Sequence, residues 1–373
     1  MRLAFWVSVA IVVYGYLGYA AWLFFCSRWF PRPVRRSPFS PFVTVVMVVR
    51  NEAGVLDRKL QNLMQLQYPA DRLEIVIVSD GSTDDTNSIL QRSTGPFPMH
   101  VLLSPHPRGK ASGINDGVKI ARGEIVLFTD GRQIIDPSAV RLLMENFADP
   151  TVGCVSGQLM LGDPASGETK RGMGMYWKIE KHIREMESLS GSAIGATGAL
   201  YAVRRHLIAA LPDETILDDV YVPMHVLRQS ARVTFDARAL AWDVPDLGRK
   251  REFARKVRTL SGNYQLVRLA PWLLSRQNPV WLNFVCHKLV RLITPLALAA
   301  AFATSAVIPD PIYRIAFVLQ LAFYTLGVCE LAQPPGGSGA RIADAASTFI
   351  LLNTAAAVAL ANFVAGRKTV WVP

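Results

Sequence analysis

The chain has 373 residues, of which 51% are hydrophobic and only 18% charged, and its formal net charge is +11. Such a composition argues against a purely soluble domain and places the apolar excess in spans, while the positive balance suits anionic lipid headgroups or a phosphorylated ligand. No helix-turn-helix, finger or aromatic-basic pattern supports nucleic acid as the partner, and Cys26, Cys154, Cys286 and Cys329 lack the spacing of a zinc site or a disulfide framework.

Residues 3–27 hold no charge, with Arg2 before them and Arg28, Arg32, Arg35 and Arg36 after. About 20 apolar residues cross a hydrocarbon core as a helix, and Phe24, Phe25 and Arg28 give no small-residue cleavage site for a signal peptide. The trailing arginines put the following chain in the cytoplasm. From Val43 the pattern becomes short β-rich runs separated by helical periodicity. Strands are expected at residues 43–49, 75–80, 99–103, 124–130, 152–159 and 232–236, and a further strand follows the glycine-rich loop at residue 195. Helices are expected from Val55 to Tyr68-Pro69, from near Ser82, over 110–121, after Pro137, around Tyr176 to Met186, over 220–229 and over 250–264. Strand and helix alternating at this interval predict βαβ units and a mostly parallel sheet. Residues 266–291 read as an amphipathic interfacial segment or a helix entering the membrane at an angle. Residues 292–309, 315–329 and 345–366 read as three further spans, although an odd number would leave Arg367 and Lys368 outside, against the positive-inside rule. The predicted organisation is therefore a span at 1–30, a cytosolic domain at 40–265, the interfacial segment at 266–291 and a membrane region at 292–373.

Polar groups arrive at three successive carboxyl ends of the predicted sheet: Arg50-Asn51-Glu52, Asp80, and Thr129-Asp130-Gly131-Arg132. They form the floor of the crevice in which open α/β sheets bind ligands. Downstream stand Arg108-Gly109-Lys110, the acidic pair Asp218-Asp219 and the basic run Arg255-Lys256-Val257-Arg258-Thr259.

The ordered set VVRNE, VSDGSTDDT, RGKASGINDG, FTDGR, GATGALYAVRR, ILDDV and RKVRT resembles the membrane-embedded family 2 glycosyltransferases, the branch with hyaluronan, cellulose and poly-N-acetylglucosamine synthases. The resemblance implies a GT-A type nucleotide-sugar-binding domain flanked by transmembrane helices. It makes Glu52 and Asp80 acceptors for the base and ribose of a nucleotide-sugar donor, with Lys110 and Asp218 beside the nucleotide. It makes Asp130 the ligand of a divalent cation, magnesium or manganese, that bridges the donor phosphates. Asp219 becomes the general base that takes the acceptor hydroxyl's proton, and Asp218 a possible cap for the helix after it. Arg258 stands near the leaving diphosphate.

The chain departs from the family pattern at three positions. Arg132 stands where the D-x-D motif has its second aspartate, free either to neutralise the pyrophosphate or to point into solvent, and Arg255 and Thr259 replace the glutamine and tryptophan of Q-x-x-R-W. The missing tryptophan favours a lipid-linked acceptor over a long glycan. The expected protein is thus an inverting glycosyltransferase integral to the plasma (inner) membrane. Its catalytic domain faces the cytoplasm, it takes a sugar from a donor, most simply a UDP-sugar, to a glycan or lipid-linked acceptor, and an export or assembly protein is a possible partner. The rivals are a polyprenyl-phosphate glycosyltransferase and a non-catalytic nucleotide-sugar-binding subunit of an export complex.

Overall fold

Apolar runs without alternation need cover on both faces, and strands β1 (Val43–Val49) and β2 (Leu73–Asp80) are buried at every position. A computed structural model describes residues 1–162, 175–243, 249–332 and 341–367. The remaining strands among them are β3 (Met99–Ser104), β4 (Ile125–Asp130), β5 (Ile134–Ile135), β6 (Val152–Leu161), β7 (Tyr201–Arg204) and β8 (Arg232–Asp243). They form one sheet of order β3-β2-β1-β4-β7-β6-β8-β5. The half from β3 to β4 is parallel, β7 runs antiparallel to both β4 and β6, and β6 pairs parallel with β8.

The helices are α1 (Arg2–Trp29), α2 (Ala53–Met64), α3 (Thr86–Arg92), α4 (Lys110–Ile120), α5 (Ala139–Asn146), α6 (Met175–Ser190), α7 (Asp218–Arg228), α8 (Arg249–Leu269), α9 (Trp281–Val307), α10 (Pro311–Ala332) and α11 (Ile342–Val364). One face of the sheet packs Val45, Met47 and Ile77 against Leu56 and Leu60 of α2, Ile89 of α3 and Leu143 of α5. The other packs Val46, Val78 and Phe128 against Ile114 of α4 and Val222 of α7, and this core continues through Leu266 to Phe284 of α9. The sheet and the first turn of an apolar helix therefore share one hydrophobic body. Two glycines let α4 lie close on β1: a Cβ at Gly113 or at Gly117 would stand 2.7 Å from Val48 or Val46 respectively. The close approach sets Lys110, the first residue of α4, over the carboxyl edge of the sheet.

Four helices are long and apolar enough to cross a membrane: α1, α9, α10 and α11. Helix α1 packs along α9, and α11 along α8. The structure differs from expectation in several places. Residues 281–291 run without a break into the span expected from 292, as the start of α9, which passes through a π-helical turn at Val285–Leu289. Helix α3 begins at Thr86 rather than near Ser82, because the Asp84 carboxylate accepts the backbone N–H groups of Ala53 at 3.1 Å and Thr86 at 3.0 Å and holds the segment before it as a loop. Strand β8 runs on to Asp243, past the expected end at Asp236. Lys368, which entered the topology argument, lies outside the described residues.

Candidate active site

The parallel half of the sheet delivers its carboxyl ends to one edge, where Asp130 of β4 is the half-exposed carboxylate. Lys110 reaches down from α4 to pair with Asp130 at 2.9 Å and with Asp218 at 3.2 Å. Burial alone would lower the lysine's pKa, but the two carboxylates reverse this and hold it above its ordinary value. Helix α7 starts at Asp218 with Leu217 as its flanking residue, so both aspartates lie in its first turn and neither is a side-chain cap. Their charges are favourable there against the helix dipole. The expected cap at Asp218 is replaced by two partners, Lys110 and the Tyr201 hydroxyl, which donates to it at 3.3 Å. Tyr201 stacks on Phe128 with ring centroids 4.8 Å apart, which fixes that hydroxyl.

Asp219 accepts the backbone N–H of Gly198 at 3.2 Å. A Cβ at Gly198 would lie 3.4 Å from an Asp219 oxygen and 3.8 Å from an Asp130 oxygen, so this glycine sits against both acids. Burial, then the neighbouring Asp218 charge, pushes the Asp219 carboxyl up to about 6, against the pull of Lys110, Lys288 and Arg184. A carboxyl tuned toward neutrality is suited to accept a proton. Arg258 on α8 faces Asp218, Asp130 and Asp219 and has no hydrogen bond or ion pair among the described residues. Glu52 lies against Gly131. Burial raises its pKa, Arg132 opposes this, and the Asp130 and Asp84 charges add to it.

Two expected ligand groups are engaged elsewhere. Asp80 is 1% exposed, and its oxygens accept the backbone N–H groups of Arg108 at 2.7 Å and Gly109 at 2.8 Å. It anchors the loop that presents Lys110. Arg132, with its side chain 37% exposed, makes a bidentate pair with Asp243 at 2.9 and 2.8 Å. Arg255 approaches the same carboxylate at 3.8 Å, so Asp243 ties the Asp130-Gly131-Arg132 turn to α8. Replacing Asp80 by alanine removes two charge-assisted bonds, each worth about 1.5–3 kcal/mol. The expected result, by titration calorimetry, is roughly tenfold or greater loss of affinity for both UDP and inorganic diphosphate. A direct contact to the base would weaken UDP alone.

Sequence reasoning missed Lys59, which is fully buried under the turn. It donates to the Thr129 hydroxyl at 2.9 Å and the Gln133 carbonyl at 2.7 Å, and burial pulls its pKa down to about 7 while Asp130 opposes the shift. The helical spacing of Leu56, Leu60 and Leu63 hid it, because Lys59 stands next to Leu60 on the inward face.

Residues 44–211 match the family model described as Glycosyl transferase family 2. This chain carries a family 2 glycosyltransferase domain. The chain is 24% identical over 204 residues to the poly-beta-1,6-N-acetyl-D-glucosamine synthase of Staphylococcus aureus, covering 54% of this chain and 49% of that protein. It is 26% identical over 186 residues to the beta-monoglucosyldiacylglycerol synthase of Synechocystis, covering 48% and 39%. The chain thus spans about half the length, or less, of these curated relatives. The mannosyltransferase PcManGT of Pyrobaculum calidifontis, solved with GDP-Man and Mn2+, superposes with a TM-score of 0.73 at 21% identity, covering 96% of this chain and 98% of that one. That likeness shows the fold of the chain, a GT-A domain with flanking apolar helices.

Proposed function

We propose that this enzyme is a membrane-anchored inverting glycosyltransferase that transfers a sugar from a nucleotide-sugar donor to a hydroxyl of a glycan or lipid-linked acceptor. Its GT-A domain lies on the cytoplasmic face of the plasma (inner) membrane. The observation that carries this reading is the convergence of Asp130 and Asp219 on Gly198, with Lys110 paired to Asp130 and Arg258 facing both acids. The names of the relatives agree with a nucleotide-sugar donor and with either a glycan or a lipid acceptor.

In the proposed step Asp219 takes the proton of the acceptor hydroxyl. The oxygen bonds to the anomeric carbon as the bond to the diphosphate oxygen breaks, and the electron pair leaves with the diphosphate. Lys110 and Arg258 stabilise the charge that develops there. Tyr201 holds Asp218, and Gly198 orients Asp219.

The residues present fit a divalent cation of the kind held largely by substrate. Asp130 offers one hard carboxylate at the crevice, and no group of three or more His, Cys, Asp or Glu able to hold a metal occurs among the described residues. Such a site leaves most ligand positions to phosphate and water. When bound, the ion would neutralise the leaving diphosphate, with Asp130 as its protein ligand.

The test is nucleotide release by the detergent-purified chain across UDP- and GDP-sugars, with magnesium, manganese or chelator, and with an acceptor lipid extract present. Release from one donor that chelator suppresses at least tenfold is expected. Binding of a donor without release under every condition would favour a non-catalytic subunit.

A further inference from the structure

Asp219 borders a second set of charges that the transfer step leaves unused. Helix α6 supplies Glu180, Arg184 and Glu187, and α9 supplies His287 and Lys288 from its π-helical turn and Arg291 just after it. π-helical turns inside α-helices are rare and concentrate at functional sites.

Most of this set is internally satisfied. Glu180 pairs with His287 Nε2 at 3.1 Å and Arg291 Nη1 at 2.9 Å, and Glu187 accepts from the Tyr19 hydroxyl at 2.6 Å and faces His287 Nδ1 at 2.8 Å. Burial opposes the charge on Glu180, but His287 and Arg291 hold its pKa well below the ordinary carboxylate value.

Two cations are left over. Arg184 reaches Glu180 only at 4.0 Å and donates to the Thr197 hydroxyl at 2.5 Å, one residue from Gly198. Lys288 has no hydrogen bond or ion pair among the described residues and faces Glu180, Arg184, Asp219 and Glu187. Positive charge in excess of its partners in a half-buried place is costly unless an anion joins it. Lysine ammonium and arginine guanidinium beside a hydroxyl are the usual donors to phosphate.

We propose that Arg184, Lys288 and the Thr197 hydroxyl form an anion subsite for the phosphate ester of a lipid-borne acceptor, held beside Asp219. The proposal rests on the transfer reading above and names its acceptor class. The lipid source follows from where Lys288 stands. Helix α9 is apolar enough to cross a membrane, and its exposed Trp281, Leu282, Ile293 and Leu296 offer apolar surface for a hydrocarbon tail on the helix that carries Lys288. Lys110 and Arg258, by contrast, face Asp130 and Asp218 on the donor side.

The test uses the full chain in detergent, titrated with farnesyl phosphate, farnesol and inorganic phosphate, with UDP and GDP titrated in parallel. The parent should bind farnesyl phosphate at least about tenfold more tightly than farnesol, a difference of about 1.4 kcal/mol. Lys288→Gln and Arg184→Gln should each lose most of that preference, Lys288→Arg should keep it, and nucleotide binding should match the parent in all three. Equal binding of farnesyl phosphate and farnesol, or no effect of the Gln variants on it, would overturn the subsite. Displacement of farnesyl phosphate by inorganic phosphate at similar concentration would assign the cations to the free ion. Lost turnover with unchanged farnesyl phosphate binding in Lys288→Gln would make Lys288 a partner of Asp219 instead. Absence of nucleotide binding in the parent would defeat the transfer reading rather than the subsite.

Discussion

Asp219→Asn is expected to lower sugar transfer by roughly 10²- to 10⁴-fold, the contribution of a positioned base, while leaving nucleotide affinity within about twofold of the parent. The amide keeps the shape of the side chain and an acceptor for the Gly198 N–H, but it cannot take a proton. Stability should not fall. The folded protein holds this carboxyl at about 6, above its ordinary value of 3.8, so between those values the folded state binds the proton that the unfolded state has lost. Stability from this group therefore declines as pH rises through that window, and a neutral asparagine escapes the penalty. Single-turnover transfer, nucleotide titration and a thermal melt at neutral pH check the three parts. Loss of nucleotide binding in the variant would remove Asp219 from the role of base.

Lys110→Met is expected to damage donor binding and folding together. The ammonium sits between Asp130 and Asp218, and Asp218 is only 5% exposed, so its removal leaves two carboxylates facing one another. Breaking a buried ion pair costs about 3–5 kcal/mol, and the exposure of Asp130 puts the expected loss toward about 2–3 kcal/mol. Donor affinity should fall at least tenfold as well, since the same cation is placed to meet the diphosphate. A second change separates the effects. Asp130→Asn added to Lys110→Met should recover much of the unfolding midpoint in detergent without restoring donor binding. If it restores both, Lys110 serves only to hold the two acids apart.

The parallel half of the sheet was legible because β1, β2 and β4 are unbroken apolar runs ending in polar residues, and each strand start or end fell within a few positions of expectation. Asp130, Lys110, Asp218, Asp219 and Arg258 could be picked out because local sequence and resemblance agreed, and the fold brings them together. Asp80 and Arg132 read differently in three dimensions for one shared reason. Each acts on a distant partner, the 108–109 backbone or Asp243, that local spacing cannot reveal. The reversal at β7 was likewise hidden, since four residues carry little sign of their direction. The charges on α6 and α9 were visible as helix faces. Their convergence on Asp219 depends on how α9 continues the core at Phe284, which only packing decides.

The pH dependence of nucleotide release, measured under donor and acceptor saturation from about pH 4.5 to 8, tests the proposed base most directly. The account predicts a rate that climbs about tenfold per pH unit and levels off just above 6, where Asp219 becomes ionised. A rate independent of pH across that range, or the same profile retained at full amplitude by Asp219→Asn, would contradict it.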